Sequence, residues 1–148
     1  MFDIRTYDID SDDFKKALIL RYNILDISGG IGDSGVKFIF GSHENERNHT
    51  LIGTFMEDKI VGTLNLEPID DTTFLLRQFA VDGSMQGTGI GTKMMDFTHK
   101  YAREHGYRKI IMHARETALN FYKKNGYITT GEIDYYPTLT LHHMYIDL

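Results

Sequence analysis

Gln86-Gly87-Thr88-Gly89-Ile90-Gly91 is the stretch on which the fold turns. A strand-like run, Phe74 to Val81, leads into it, and a helix-like run, Thr92 to Glu104, leaves it. Strand, glycine loop and helix in that order make an anion site. Glycine bends the backbone where a Cβ would clash. The first amides of a helix have no partner inside it, and the positive end of the helix dipole lies with them. A pyrophosphate suits such a loop. A plain strand-to-helix turn would use the same residue types, so the rest of the chain must separate the two.

Spacing excludes the two best-known phosphate loops. A nucleoside triphosphate loop needs GxxxxGK followed by Ser or Thr, whereas Lys93 here follows Thr92 and precedes Met94. A dinucleotide fingerprint needs GxGxxG with an acid about 20 residues later. Gly87, Gly89 and Gly91 alternate instead, and the corresponding downstream stretch is Ile110-Ile111-Met112.

Gln86, Gly89 and Gly91 fit the pattern Gln/Arg-x-x-Gly-x-Gly/Ala. In this the loop resembles motif A of the GNAT superfamily of N-acetyltransferases, which binds the pyrophosphate of acetyl-coenzyme A. The stretch Ala118 to Tyr127 resembles motif B of the same family, A-x-x-F-Y-x-x-x-G-F/Y, through Ala118, Phe121, Tyr122, Gly126 and Tyr127. Its spacing is physically coherent. Ala118, Phe121 and Tyr122 share one helix face, Gly126 can end the helix, and Lys123 and Lys124 suit its last turn. Phe121 reads as core; for Tyr122, core packing competes with a catalytic role. Leu141-His142-His143-Met144-Tyr145 is similar to the closing strand of part of the family. Together the matches run from Leu51 to Leu148.

Composition sets wider bounds. The chain has 148 residues, enough for one domain over 1–148 with a substantial core. Its hydrophobic fraction, 41%, and charged fraction, 25%, are those of a soluble globule. No apolar run approaches the roughly 20 residues of a membrane span, and Met1 to Arg5 lacks the pattern of a secretory signal. A cytoplasmic location is the expectation. With no cysteine, the chain has no disulfide, no thiolate metal site and no acyl-cysteine route. A net charge of -5 argues against a nucleic-acid partner. The histidines show neither HxH nor HExxH spacing, so no metal site is expected; the neighbours His142 and His143 would face opposite sides of a strand.

Periodicity predicts an edge strand over 1–9 and a helix from Ser11 through Phe14, Leu18, Arg21, Tyr22 and Leu25, stopping near Ser28-Gly29-Gly30. Gly29 to Gly35 and Val36 to Phe40 then make a flexible segment, and 41–49 a polar loop. Thr50 to Met56 and Ile60 to Leu66 form a hairpin across Glu57-Asp58-Lys59. Thr73 to Val81 is a strand and Thr92 to Glu104 a helix with Met94, Phe97 and Tyr101 on one stripe, stopped by Gly106. Strand 109–113, helix 117–125 and strands 127–132 and 139–147 follow. The fold class is α+β, a mixed, mostly antiparallel central sheet flanked by helices on both sides. The unit from 74 to 113 should be parallel and right-handed.

The resemblance implies an acetyl-CoA-dependent N-acetyltransferase that passes the acetyl group directly to a primary amine of a small molecule or peptide, with no metal. It places the pantetheine arm along the strand 74–81, against Phe79, Ala80 and Val81, where the sheet splays. The pyrophosphate goes to the amides of Gln86, Gly87, Thr88, Gly89, Ile90, Gly91 and Thr92. It assigns Tyr122 to protonate the leaving thiolate, and Asn120 to contact the cofactor. Some relatives carry a Glu on the cofactor strand where this chain has Leu75. Glu67, His113, His143 or a water relay remain as base, with His113 read as a core histidine. Residues 26–40 and Asp134-Tyr135-Tyr136-Pro137 would wall the acceptor cleft, with Tyr135 and Tyr136 either stacking on a ligand or packing. A homodimer fits the family. The absent carboxylate at Leu75 keeps a non-catalytic acyl-CoA sensor or interaction module as the alternative.

Overall fold

The structure, a computed structural model, describes residues 2–27 and 43–148. Its strands are β1 (Asp3–Tyr7), β2 (Thr50–Met56), β3 (Lys59–Pro68), β4 (Thr73–Val81), β5 (Lys109–Arg115), β6 (Ile128–Tyr135) and β7 (Thr140–Asp147). Its α-helices are α1 (Asp12–Arg21), α2 (Ile90–Glu104) and α3 (Leu119–Lys124). The strands form one sheet in the order β1-β2-β3-β4-β5-β7-β6. Among the described strands only β4 and β5 pair in parallel; the other neighbours are antiparallel. The expected mixed sheet is therefore present.

Helix α2 covers one face. Met94, Met95 and Ala102 from it join Ile52, Leu64, Leu66, Phe74, Leu76, Ile110, Met112 and Met144 from the strands in the main core. Each fully buried side chain of this kind contributes about 1.5–3 kcal/mol. The buried stripe of α2 runs through Met94, Met95, Thr98, His99 and Ala102, with Phe97 and Tyr101 only half-buried at its margin. Gly62 explains the close approach. A Cβ there would lie 2.5 Å from Met94 Sδ. Helix α1 covers the other face, packing Ala17 and Leu20 against Phe55, Ile60 and Ala80.

Several boundaries differ from the sequence expectation. The β2–β3 turn holds only Glu57 and Asp58, because Met56 pairs with Lys59; Glu57 takes a φ of 55° to close it. Helix α2 begins two residues early, at Ile90. Strand β5 extends to Arg115, held by pairing with β7. The first helix narrows to α1, after which Tyr22–Ile27 continues as a π-helix, a form found often beside functional sites. Residues Glu44–Glu46 form a 3₁₀ turn in the expected loop. The expected stop at 28–30, the run 36–40 and most of the proposed acceptor wall 26–40 lie outside the described residues.

Arg21 was expected on a helical face, and its burial has a particular cause. The side chain is fully buried, where its Nη1 donates to Glu46 Oε1 at 2.9 Å and Oε2 at 3.2 Å. Its Nη2 donates to Asn65 Oδ1 at 2.5 Å, and Asn65 Nδ2 donates back to Glu46 Oε1 at 2.5 Å. A charge taken out of water needs such partners. The cluster ties α1 and the 3₁₀ turn to β3.

Candidate active site

Strand β4 splays away from β5, and a bulge is the cause. Thr63 pairs with Ala80 and Asn65 with Arg77, so Leu64 of β3 faces two residues, Gln78 and Phe79. Gln78 sits at φ 55°, in the left-handed region, which a β-bulge commonly requires of one residue. Beyond it, β4 and β5 part. Their pairing ends at Leu76 and Met112, while β5 continues to Arg115 against β7 alone. The stretch Arg77 to Val81 thus presents one backbone edge to an open gap. No sequence signal marks the bulge, since glutamine has no preference for positive φ.

The gap opens into a cleft of 1240 Å³ lined by Arg77 to Val81 from β4, His113 to Arg115 from β5, and Phe121, Tyr122 and Lys124 from α3. The glycine loop forms one end. Gly87 and Gly89 adopt φ values of 80° and 88°, a region costly for residues with a Cβ. Space at both is open: a Cβ would meet nothing within 4 Å. At Gly91 a Cβ would sit 3.0 Å from Phe121 Cε1, so glycine there admits the aromatic ring. Gly89 is the residue before α2, with no side-chain cap, which leaves the first helical amides free for an anion. Gln86 Nε2 donates to Val81 O at 3.0 Å and Asp82 accepts from Ser84 N at 2.9 Å, which pins the loop to the end of β4.

Most of the expected cofactor residues converge here. Phe79, Ala80, Val81, Gln86, Gly87, Gly89, Gly91 and Thr92 line the cleft. Thr88, Ile90 and Asn120 are not among the lining residues. Thr88 turns its hydroxyl onto Met85 O at 2.5 Å, Ile90 is buried in the core, and Asn120 is exposed. The Thr88 amide also reaches Met85 O, at 3.4 Å, and Ile90 has only its backbone to offer an anion.

Tyr122 combines both roles considered for it. The ring is buried, 7% exposed, against Phe79, Phe121 and Tyr127 at centroid distances of 6.3, 5.2 and 5.7 Å, yet the residue also lines the cleft. Burial raises its pKa well above the usual phenol range, with the Arg115 charge pulling weakly the other way. It therefore holds its proton at neutral pH. Phe121 is half-buried, its ring tilted on Phe79 at 5.7 Å.

The opposite face of the gap carries the polar groups. Alternation along β5 sends Met112 and Ala114 into the core and His113 the other way. His113 is exposed to the cleft rather than satisfied in the core, because this alternation turns it away from the core. Its ring lies against that of His143 of β7, centroids 4.2 Å apart and planes tilted by 38°. His143 Nε2 lies 2.8 Å from Asp134 Oδ2 and 3.1 Å from Glu132 Oε2. A bulge in β6 at Gly131, φ 93°, turns these two acids onto His143. The expected base candidate Glu67 is engaged by Arg77 Nη1 at 3.1 Å. Tyr135 and Tyr136 are 77% and 54% exposed, so the packed alternative for them does not hold, and Tyr136 lines the cleft. Arg115 and Glu132 gave no signal in the sequence because their placement depends on long-range pairing; Lys124, read only as a helix-end cation, reaches the cleft from α3. Arg115 also donates from Nη2 to Leu25 O at 3.2 Å, linking β5 to the π-helix.

Among the described residues, no helix is long and apolar enough to cross a membrane. The chain is 26% identical over 100 residues, 65% of its length, to "Probable N-acetyltransferase 14" of Xenopus tropicalis, and spans 48% of that relative's length. The structure of Escherichia coli ElaA is similar at a TM-score of 0.81 and 14% identity, covering 99% of both chains. That of an aminoglycoside 6'-N-acetyltransferase complexed with coenzyme A is similar at 0.76 and 17%, covering 98% of this chain and 96% of that one. These likenesses show the fold. The sequence model of the acetyltransferase (GNAT) family matches residues 10–127, and on that match, with the splayed strands and the glycine loop in place, the chain belongs to this family.

Proposed function

We propose that the chain forms one domain over residues 1–148 that transfers the acetyl group of acetyl-CoA directly to a primary amine of a small molecule or peptide, in a ternary complex. One observation carries the reading. The gap between β4 and β5 joins the unpaired amides of the glycine loop to the buried hydroxyl-bearing side chain of Tyr122. The coenzyme A of the similar aminoglycoside 6'-N-acetyltransferase supports the same ligand here.

Acetyl-CoA supplies an activated thioester when bound. The residues present fit it. The open space at Gly87 and Gly89 leaves the loop clear for a pyrophosphate, and the free edge of Arg77 to Val81 offers backbone groups to the amides of a pantetheine arm. Backbone N–H groups at that edge can also bind an oxyanion. Tyr122 donates to the leaving sulfur. A positioned acid of this kind gives about 10²- to 10⁴-fold.

Acetyl-CoA is expected to raise Tm, because a ligand that binds only the folded state stabilises it by about 2.7 kcal/mol at a hundred times Kd. Differential scanning fluorimetry checks this, together with thiol release in the presence of primary amines. Absence of any shift at millimolar acetyl-CoA contradicts the reading. A shift without thiol release from any amine would favour the sensor alternative, for which Leu75 in place of a carboxylate is the motivating residue.

A further inference from the structure

We propose that His113 accepts the proton of the incoming amine, and that His143, anchored by Asp134 and Glu132, is the positioning residue that holds its ring. His113 has this role only if the cleft transfers acetyl groups as proposed above.

Topology puts His113 at the apex of the gap. It is the residue immediately after Met112, the last of β5 to pair with β4. It points to the face opposite the main core that contains Tyr122 and Met112. A direct transfer needs a proton donor for sulfur and a proton acceptor for nitrogen. Here Tyr122 stands on one side of the gap and His113 on the other, and both line the cleft.

Among the described residues, the other groups on this face are engaged or unsuited. Leu75 and Ile111 are apolar. Arg77 and Arg115 hold their protons at any working pH. Glu67 is bound to Arg77. His49 Nδ1 lies 3.3 Å from Asn65 Nδ2 in the Arg21 cluster. The Nε2 of His143 is engaged by two carboxylate oxygens, at 2.8 Å from Asp134 and 3.1 Å from Glu132. Among the described residues, no hydrogen bond ties up the ring nitrogens of His113; its ring contact is with the tilted ring of His143.

Electrostatics agree with the geometry. Among the described residues, the titratable and charged groups facing His113 are Arg77 from β4, Arg115 from its own strand, His143 from β7, and Asp134 and Glu132 from β6. Partial burial of the ring, together with the neighbouring His143 and Arg77 side chains, holds the imidazole below its usual 6.5; Asp134 and Glu132 oppose this. The ring is therefore neutral at pH 7, with a lone pair to offer. The two carboxylates then favour the imidazolium that forms.

The step balances. The nitrogen lone pair of a neutral amine forms the new bond to the acetyl carbon, and the carbon–sulfur bond breaks. The nitrogen proton passes to His113, and Tyr122 gives its proton to the departing thiolate. Solvent exchange then returns one proton from His113 to Tyr122.

The test is the pH dependence of kcat/KM with acetyl-CoA and the fastest acceptor among tyramine, putrescine, spermidine and a glycyl peptide. Wild type, H113Q and D134N are compared. Wild type should lose rate toward acid as His113 protonates. H113Q should lose about 10²- to 10⁴-fold at pH 7 and keep only the acid loss that protonation of the amine itself imposes, without the His113 inflection, with the thermal shift by acetyl-CoA retained. D134N should keep its fold and move the limb to lower pH, because a group favouring the imidazolium is gone. An H113Q enzyme within threefold of wild type with the same limb overturns the assignment, as does a limb unmoved in D134N for the positioning role. Loss of the acetyl-CoA thermal shift in H113Q would make His113 structural and also overturn it. Wild-type turnover with an indifferent H113Q removes only the base. Failure of wild type with every amine removes the transferase reading as well.

Discussion

Tyr122→Phe is expected to lower kcat by about 10²- to 10⁴-fold while leaving acetyl-CoA affinity within about twofold. The reasoning follows from where the ring and the hydroxyl stand. The ring fills a buried position among Phe79, Phe121 and Tyr127, and phenylalanine keeps that packing. Only the hydroxyl is lost. Its raised pKa, due to burial, makes it a hydrogen-bond donor that stays protonated across the neutral range. The sulfur that leaves carries negative charge only as the bond breaks, so the interaction strengthens toward the transition state. Such an interaction acts on kcat rather than on ground-state binding. Steady-state kinetics with a cofactor titration checks the split. Unchanged kcat would remove the acid role and leave Tyr122 as packing.

Glu46→Gln should lower Tm by on the order of 10 °C, the equivalent of about 3–5 kcal/mol for breaking a buried ion pair. The variant keeps the shape but leaves Arg21, fully buried, without its counter-charge. Asn65 still accepts one guanidinium bond, which limits the loss. Acid should act in the same direction on wild type. Burial pushes the Glu46 carboxyl up, but the Arg21 charge and hydrogen bonds from Asn65, Arg21 and His43 outweigh it and hold the group below its usual 4.5. A carboxyl depressed in the folded state stabilises fully above the unfolded value, and that stability is lost as pH falls through the folded one. The Tm gap between wild type and variant should therefore be widest at neutral pH and shrink below pH 4.5. Thermal melts across pH check this; equal Tm values at pH 7 would contradict the coupling of α1 to β3 through this pair.

What could be read from the chain was local. The glycine loop was legible because Gly87 and Gly89 answer a backbone requirement that few residues meet, and their φ values bear this out. Helix α2 and its stop were legible for a similar reason: Gly106 sits at φ 83°, and Tyr107 N reaches back to Ala102 O at 2.9 Å. The resemblance to motif B marked Tyr122 as a site candidate, and Tyr122 lines the cleft. What could not be read depends on cross-strand register. Gln78 is an ordinary strand residue by composition, and its bulge is set by the pairing of Thr63 with Ala80 and Asn65 with Arg77. His113 looked internal because Ile110, Ile111 and Met112 precede it, yet strand alternation turns it away from the core. Glu132 and Asp134 meet His143 only through the β6 bulge at Gly131. Arg21 occupied a helical core position, and nothing nearby in sequence announced Glu46 as its partner.

The central claim is that the gap between β4 and β5 holds acetyl-CoA with its pyrophosphate on the glycine loop and its thioester between Tyr122 and His113. A crystal structure of the protein with coenzyme A tests it most directly. The account predicts pyrophosphate oxygens within hydrogen-bond distance of the amides from Gln86 to Thr92, the pantetheine arm along Phe79 to Val81, and the sulfur beside the Tyr122 hydroxyl. Coenzyme A bound elsewhere, with the gap closed by Phe79 or Phe121, would contradict it.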